Sequence, residues 1–352
     1  MIMSKGGFAR KYVPAMRVAG NLLKAAITRK RTPLYVGLFI TEKCNLKCIY
    51  CFPDSPNRVV KDLPKEQIFK IVDELYALGT RYITLLGGEP MIRKDFGEIV
   101  EYIAGKGIMT ETGTNGYYTK KWIPALKKLY LVCHSIDGDE RSHDLNRGKG
   151  SYAKIVESLA LCKENDIPVQ MRAVFNKNNV DSLEYLLKLS REFGTSLALA
   201  EQAVVKTKDN EYAMTNEEIR DFWIKVRGYK KQGYHIDKSF TLLDKIIAFP
   251  VEIPYNKIFN KGEKVEYKGD FPECNLSRGY CFIDADGFMY PCATLFGKFG
   301  KNIFEVGVKA AWDYLEERPC LFCRQSIQDL KSYFFSGDLN SKIVVAKNFL
   351  SK

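Results

Sequence analysis

The stretch Thr41-Glu-Lys-Cys44-Asn-Leu-Lys-Cys48-Ile-Tyr-Cys51-Phe52 carries three cysteines at a C-x3-C-x2-C spacing. Three thiolates on one short loop can each bind one iron of a [4Fe–4S] cluster, which leaves the fourth iron open to a ligand. The alternative is a zinc site, which requires a fourth Cys or His close by. Because the nearest histidine in the sequence is His134, the loop favours an iron–sulfur cluster.

Short apolar runs alternate with helical patterns on both sides of this loop. The predicted strands cover residues 34–41, 82–86, 109–113, 130–136, 169–175 and 196–201. The predicted helices cover residues 65–78, 96–104, 152–164, 182–193 and 215–232. This alternation indicates an α/β fold with a parallel sheet and outer helices, as an incomplete barrel or an open sheet. The cysteine loop follows the first strand, at the edge where such folds form their sites.

Composition excludes several classes of protein. The chain has 352 residues, of which 46% are hydrophobic and 27% charged, as in a folded globular protein. We find no apolar run of about 20 residues and no secretory h-region, so we expect a cytoplasmic protein. The net charge of +12 comes from Lys and Arg spread along the chain without a nucleic-acid motif, so we do not expect a nucleic-acid partner.

The ten cysteines fall into two groups and two single positions. Three lie in residues 44–51 and five in residues 274–323. In a cytoplasmic chain such groups indicate metal ligands or reactive thiols and not disulfides. Cys133 and Cys162 stand alone in apolar patterns, so we interpret them as small buried hydrophobic residues.

The second cysteine group surrounds a predicted hairpin. Two short apolar runs, residues 282–284 and 288–291, flank the turn Ala285-Asp286-Gly287. Such a hairpin would bring Cys274 and Cys292 together at its open end. A helical stretch over residues 302–315 then leads to Cys320-Leu-Phe-Cys323. The alternative for this set is a tetrahedral zinc knuckle.

The cysteine loop and Gly87-Gly88-Glu89-Pro90 at the end of the second predicted strand together resemble the radical S-adenosylmethionine (SAM) superfamily. The resemblance covers residues 34–323. It implies a partial (β/α)6 barrel, a [4Fe–4S] cluster on Cys44, Cys48 and Cys51, and SAM bound at the open iron. In that family the reduced cluster splits SAM into methionine and a 5′-deoxyadenosyl radical, which abstracts a hydrogen atom from a substrate.

The strand-end motifs imply further contacts with SAM. In the family, the edge formed here by Gly87, Gly88, Glu89 and Pro90 binds the methionine ammonium, whereas Glu89 alone could instead be a helix N-terminal carboxylate. Gly113-Thr114-Asn115-Gly116 resembles the segment near the ribose, which assigns Thr114 and Asn115 to the cofactor. The alternative for this segment is an ordinary Asn-Gly turn.

Two further segments resemble members with SPASM or twitch domains. Ser135 in Ser-Ile-Asp-Gly would contact SAM, and Arg147 in His-Asp-Leu-Asn-Arg-Gly would pair with the methionine carboxylate through its planar fork. For Arg147 the alternative is a surface ion pair. Tyr50 stands where family members place an aromatic ring near the adenine. No catalytic side chain is assigned beyond the cluster.

The tail resembles a twitch domain, which holds one auxiliary [4Fe–4S] cluster. The resemblance gives Cys274, Cys292, Cys320 and Cys323 as ligands, with Cys281 as an alternative to Cys274. Full SPASM domains hold two clusters, but no cysteine follows Cys323. Sulfatase-maturing members place an aspartate base after the cysteine that matches Cys292, where this chain has Ala293. A base would therefore come from elsewhere, for example Glu201 or Asp284.

These observations divide the chain into five predicted segments. They are a basic amphipathic helix (1–32), a radical SAM barrel (33–214), a linker (215–270), a twitch-like domain (271–324) and a helical tail (325–352). The first helix either packs across the bottom of the barrel or contacts the anionic inner face of the membrane. In the linker, residues after 232 show no clear periodicity.

The resemblance predicts an oxidoreductase that abstracts hydrogen from a small-molecule, lipid or sugar substrate, with the auxiliary cluster assisting the oxidation. The alternative is a peptide-modifying enzyme, although neither a leader-recognition domain nor a full SPASM cysteine set is visible. The expected electron donor is a flavodoxin- or ferredoxin-type protein.

Overall fold

The computed structural model describes residues 31–51, 53–54, 57–202, 211–254, 257–264 and 273–324. The predicted helices at the two chain ends lie outside these residues, apart from Arg31. Among the described residues, none of the helices has the length and hydropathy that a bilayer span requires.

The main body repeats a strand–helix unit six times. Its strands are β1 (Tyr35–Thr41), β2 (Tyr82–Gly87), β3 (Met109–Thr114), β4 (Leu131–Ser135), β5 (Val169–Phe175) and β6 (Leu197–Glu201). Its helices are α1 (Lys65–Leu78), α2 (Phe96–Gly105), α3 (Thr119–Leu126), α4 (Glu140–Arg147), α5 (Ser151–Glu164), α6 (Leu183–Glu192) and α7 (Asn216–Lys231). All neighbouring pairs from β1 to β6 are parallel, which makes this body a partial (β/α)6 barrel.

The tail continues the same sheet. Its elements are α8 (Phe240–Ile247), β7 (Ile258–Asn260), β8 (Tyr280–Ile283), β9 (Phe288–Tyr290), β10 (Lys301–Asn302), α9 (Ile303–Val306), α10 (Val308–Tyr314) and β11 (Cys320–Cys323). Strand β8 pairs with β1 in parallel, so the nine strands run in the order β10-β9-β8-β1-β2-β3-β4-β5-β6. Strands β11 and β7 form a separate antiparallel pair.

Two hydrophobic clusters hold the helices on the outside of the sheet. The first joins β1, β2, β4 and the hairpin to α1, α2 and α10, and it includes Val36, Ile83 and Trp312. The second joins β5 and β6 to α5–α8 and includes Trp223. Each fully buried Val, Leu or Ile side chain contributes about 1.5–3 kcal/mol to stability. Because outward-facing strand residues form these clusters, the alternate residues face the barrel interior.

The inner face carries a buried carboxylate, Glu111 on β3. It accepts hydrogen bonds from the hydroxyls of Tyr82 (2.7 Å) and Thr84 (2.9 Å) and pairs with Arg172 on β5 at 3.1 Å. Burial opposes its ionisation, yet Arg172 and these donors together lower the pKa of Glu111 to about 2. The carboxylate therefore stays ionised and ties three strands together inside the barrel.

Most predicted elements are present, with differences at short or irregular segments. The sequence analysis predicts no helix at α3, α4 or α8. The last of these occupies residues 240–247, in the segment of the linker that shows no clear periodicity. The helix predicted over residues 302–315 is split at Gly307, whose φ of 82° ends α9 before α10 begins. The hairpin forms with Gly287 at φ 88°, as its turn requires.

Candidate active site

The cysteine loop leaves the carboxyl end of β1 and packs against the end of β2. A Cβ atom on Gly87 would lie 2.2 Å from the carbonyl oxygen of Thr41, and one on Gly88 would lie 2.4 Å from that of Lys43. The two backbones also bond directly, since the amide of Glu89 donates to the Lys43 carbonyl at 2.8 Å. The double glycine therefore has a role besides any close approach to a ligand, because it lets the end of β2 pack directly against the cysteine loop.

The three thiols of this loop share one environment. Cys44, Cys48 and Cys51 influence one another electrostatically, and each is partly exposed. Burial raises the pKa of the Cys44 thiol to about 11, against the hydrogen bond that the Leu46 amide donates to its Sγ at 3.4 Å. Burial likewise raises the pKa of Cys48, and the Arg147 guanidinium opposes that rise.

Glu89 is buried and connects the ends of two strands. Its carboxylate accepts from the amides of Asn115 (2.7 Å) and Met91 (3.2 Å) and from the Thr114 hydroxyl at 3.2 Å. It thereby caps the 3-10 turn Pro90–Ile92, as in the alternative interpretation of this residue, and it also fixes the end of β3. Burial raises the pKa of Glu89 to about 7, despite these donors.

Asn115 reaches from β3 to the cysteine loop. Its side-chain amide donates to Asn45 Oδ1 at 2.9 Å and lies 4.0 Å from Cys44 Sγ. Thr114 is engaged with Glu89 and with the amide of Gly116 at 2.9 Å. Asn115 thus lies beside the predicted cluster ligands, whereas Thr114 holds the turn.

Arg147 forms a buried ion pair with Asp137, a residue whose role the sequence did not reveal. Arg147 Nε lies 2.6 Å from Asp137 Oδ2, and the two side chains are 10% and 0% exposed. The Tyr50 hydroxyl donates to the same carboxylate, and the guanidinium carbon lies 5.5 Å from the Tyr50 ring centre. Arg147 is therefore not in a surface ion pair, and Asp137 joins it to the cysteine loop.

The same corner is supported by backbone contacts. The amide of Ile49 donates to the Asn146 carbonyl at 3.0 Å, and the amide of Val174 donates to Asp137 at 3.1 Å. Ser135 ends β4 and is half-buried opposite Arg172. The predicted SAM contacts at Gly87–Pro90, Thr114, Asn115 and Ser135 thus lie at the ends of β2, β3 and β4. Tyr50 lies in the cysteine loop, and Arg147 ends α4.

The four predicted tail ligands lie together. Cys274, Cys320 and Cys323 all act electrostatically on Cys292, and burial is the main cause that raises its pKa. Cys274 is buried and its amide donates to the Leu321 carbonyl at 2.9 Å. The β11 register shifts between Cys320 and Phe322. In a regular strand, residues 320 and 323 would point to opposite faces, and such a bulge changes this alternation.

Cys281 is placed differently from these four. It pairs with Val36 of β1 and is completely buried in the first hydrophobic cluster. Burial strongly raises its pKa, and the charge that acts on it belongs to Arg31. Its position favours Cys274 over Cys281 as a ligand.

Arg58 connects the cysteine loop to the tail hairpin. Its guanidinium bonds to Glu42 at 2.9 Å and to Asp284 at 2.6 Å, and both carboxylates are 1% exposed. No local pattern predicts this contact, because Arg58 and Asp284 are 226 residues apart. Asp284 is thus held in an ion pair, which disfavours it as a general base. Glu201 is buried at the end of β6.

Both cysteine sets suit iron–sulfur clusters in their chemistry. Thiolates are the ligands such clusters use, and each thiolate binds its own iron, so the sulfurs need not meet at one point. Among the described residues, no group of three or more His, Cys, Asp or Glu side chains is arranged to hold a single metal ion. A buried guanidinium atom, Arg318 Nε, also lies beside the tail set without a hydrogen-bond partner in the described chain.

Comparison with known proteins agrees with this geometry. Residues 38–190 match the family model of the radical SAM superfamily. The Fe-coproporphyrin III synthase of Methanosarcina barkeri is 32% identical over 158 residues, which are 44% of this chain and 40% of that protein. The AdoMet-dependent heme synthase of the same organism is 24% identical over 82% of this chain and 85% of its own length.

Solved structures share the fold. Streptococcus suis SuiB bound to the precursor peptide SuiA has a TM-score of 0.66 and 19% identity, over 85% of this chain and 69% of that chain. The part of the chain that is similar to the radical SAM superfamily is therefore residues 38–190, which include the cysteine loop and the strand-end motifs.

Proposed function

We propose that this protein is a radical SAM oxidoreductase that cleaves SAM at a cluster held by Cys44, Cys48 and Cys51 and oxidises a substrate with the help of a second cluster in the tail. The observation that carries the proposal is the placement of SAM-contact candidates against the cysteine loop. Burial raises the pKa of Cys48 and the positive charge of Arg147 opposes that rise, while the side-chain amide of Asn115 lies 4.0 Å from Cys44 Sγ.

Cys44, Cys48 and Cys51 would hold the first cluster, which when reduced would supply the electron for the reductive cleavage of SAM. The chain's own residues position SAM for this step. Arg147 uses Nε and Nη2 for Asp137, and within the described residues its Nη1 donates to no other group. That nitrogen is suited to the methionine carboxylate, since guanidinium–carboxylate bonds are charge-assisted.

Asp137 and Tyr50 position Arg147. The carboxylate fixes one side of the guanidinium, and the Tyr50 ring faces it at 5.5 Å. Glu89 holds Thr114 and Asn115 at the end of β3. Tyr50, Ser135 and the Gly87–Pro90 edge complete the proposed SAM site.

The tail set, Cys274, Cys292, Cys320 and Cys323, is proposed to hold the auxiliary [4Fe–4S] cluster. Oxidation of the substrate radical after hydrogen abstraction would release one electron, and one proton to solvent. The tail cluster is the proposed acceptor of that electron, and a flavodoxin- or ferredoxin-type protein is the proposed donor for the first cluster. Arg58 keeps the two regions in contact through Glu42 and Asp284.

A small organic molecule is the preferred substrate class. The match to the AdoMet-dependent heme synthase extends over 85% of that protein, so the similarity is not confined to the SAM-binding half. We propose that the interior of the barrel, beside Arg172 and Ser135, admits a compound of this size. Lipid head groups and sugars belong to the same proposal.

A peptide substrate is the second candidate. It is supported by the fold shared with SuiB, whose structure contains a precursor peptide. The two candidates differ in what stimulates SAM cleavage, because substrate hydrogen abstraction consumes the radical. Extracts separated into peptide and small-molecule fractions would identify the class by the fraction that increases 5′-deoxyadenosine formation.

Reductive SAM cleavage tests the proposal. Anaerobically reconstituted protein with dithionite should convert SAM to 5′-deoxyadenosine, measured by chromatography. A Cys44, Cys48 and Cys51→Ala triple variant should form none, because no site for the first cluster remains. The Cys133→Ala variant is the matched control and should retain the wild-type rate. Equal rates in the triple variant and the wild type would contradict the proposal.

A further inference from the structure

A buried cation lies within the tail cysteine set. Arg318 follows the 3-10 turn Leu315–Glu317, and its side chain is 7% exposed. Its Nη2 donates to the carbonyl of Cys274, and its Nη1 donates to that of Cys320 at 3.2 Å. One guanidinium therefore joins the segments that carry two of the four cysteines.

The charge of Arg318 is poorly neutralised by protein groups. Among the described residues, the carboxylate in ion-pair contact with Arg318 is that of Glu273. Its Oε1 lies 3.9 Å from Arg318 Nη2, and its side chain is 57% exposed. A buried charge without a close partner is costly, so its position requires an explanation. Its Nε is also buried and, among the described residues, has no hydrogen-bond partner.

Two of the tail cysteines are the groups that this charge adjoins. Cys274 and Cys320 are both buried, and the guanidinium binds the backbone carbonyl of each. Lys261 is a second cation beside the same segment, since its amide donates to the Pro319 carbonyl at 2.8 Å, but it is exposed to solvent. Solvent screens an exposed charge far more than a buried one.

We infer that Arg318 is the countercharge of the auxiliary cluster, and that it raises the reduction potential of that cluster. The inference rests on the proposed tail cluster. A [4Fe–4S] cluster with four thiolates is anionic and becomes more so on reduction, so a buried cation nearby favours the reduced form. Arg318 thus acts through its charge, which makes the tail cluster a better acceptor of the substrate's electron.

The test compares three full-length variants after anaerobic reconstitution. Arg318→Gln removes the charge, Arg318→Lys keeps it, and Lys261→Gln removes the exposed charge as a matched control. Iron and sulfide are counted, and the tail cluster is titrated by electron paramagnetic resonance. Added SAM distinguishes the two clusters, because SAM binds and alters the signal of the first one alone.

We expect Arg318→Gln to hold about eight irons, four per cubane, and to show a lowered tail-cluster potential. Arg318→Lys should stay close to the wild type, and Lys261→Gln should show a small fraction of the shift. An unchanged potential in Arg318→Gln, or an equal shift in Lys261→Gln, would overturn the inference. If Arg318→Gln loses iron, retention by Arg318→Lys supports the charge role and loss in both variants overturns it. A wild type with about four irons would instead show that the proposed tail cluster is absent.

Discussion

At the scale of single residues, the candidate site depends on buried charges held by specific partners. Asp137 is completely buried, and its carboxylate accepts hydrogen bonds from the Arg147 guanidinium, the Tyr50 hydroxyl and the Val174 amide. Breaking a buried ion pair by removing one partner costs about 3–5 kcal/mol, whereas replacing both partners is often nearly neutral. The pair therefore contributes to the placement of Arg147 more than to net stability.

Substitutions at Arg147 and Asp137 should show that the two residues are coupled in their effect on stability. Arg147→Ala should lower the free energy of unfolding by about 3 kcal/mol because it leaves Asp137 buried without its cation. The double variant Arg147→Met with Asp137→Asn should be more stable than Arg147→Ala. Urea unfolding measures both values, and a double variant that is no more stable than Arg147→Ala would contradict the coupling.

The same arginine is expected to bind SAM. Arg147→Ala should weaken SAM affinity by about 1.5–3 kcal/mol, the value of a hydrogen bond to a charged group. The Arg141→Ala variant, on the exposed side of α4, is the control and should bind SAM normally. Equal affinity of Arg147→Ala and the wild type would remove Arg147 from the SAM site.

Glu89 should make stability depend on pH. Its folded-state pKa of about 7 lies above the ordinary value of 4.5, so the folded protein holds a proton that the unfolded chain releases. Wild-type stability should therefore fall as pH rises from 4.5 to 7, by about 3 kcal/mol from this residue. Glu89→Gln should lose this dependence, as measured by unfolding at several pH values.

Glu111 provides a control of opposite sign. Its pKa of about 2 lies below the ordinary value, so its stabilisation is present above pH 4.5 and is lost as pH falls toward 2. Glu111→Gln should leave the pH 4.5–7 dependence intact. If Glu89→Gln shows the same slope as the wild type in that range, the carboxyl of Glu89 ionises normally.

At the scale of elements, long periodic segments were predictable and short ones were not. Helix α1 and strand β5 occupy the predicted residues because their apolar spacing is regular and their ends are marked. Helices α3 and α4 have eight residues each, too few for a clear period. The cysteine loop and strand-end motifs are visible in the sequence. Asp137 and Arg58 are not assigned there, since Asp137 binds Tyr50 across 87 residues and Arg58 binds Asp284 across 226.

The contact between β2 and the cysteine loop should be sensitive to one methyl group. Gly88→Ala would place Cβ 2.4 Å from the Lys43 carbonyl oxygen and 2.7 Å from Cys44 Cβ, so the loop must shift. We expect reconstituted iron to fall from about eight to about four per chain, with SAM binding lost. Circular dichroism should remain unchanged, because the barrel core is not involved.

Gly113→Ala is the matched control for this prediction. No heavy atom lies within 4 Å of a Cβ at that position among the described residues, so the variant should keep its iron. Full iron content and normal SAM binding in Gly88→Ala would show that the loop tolerates displacement and that the close approach is not required.

At the scale of the whole molecule, the hairpin that carries Cys281 continues the barrel's own sheet. Strand β8 pairs with residues Tyr35–Leu38 of β1, the strand that leads into the cysteine loop, and α10 packs in the same hydrophobic cluster as α1. Arg58 adds a buried ion pair between the loop and the hairpin. The hairpin of the proposed tail domain is therefore attached to the strand that presents the proposed SAM cluster.

The iron and sulfide content of defined cysteine variants tests the central claim of two clusters on seven ligands. The wild type should hold about eight irons and eight sulfides, since each cubane contributes four of each. Cys320→Ser with Cys323→Ser should hold about four irons and still bind SAM. Cys274→Ser should also lose iron, whereas Cys281→Ser should not. About twelve irons in the wild type, or full iron in the Cys320 and Cys323 double variant, would contradict the account.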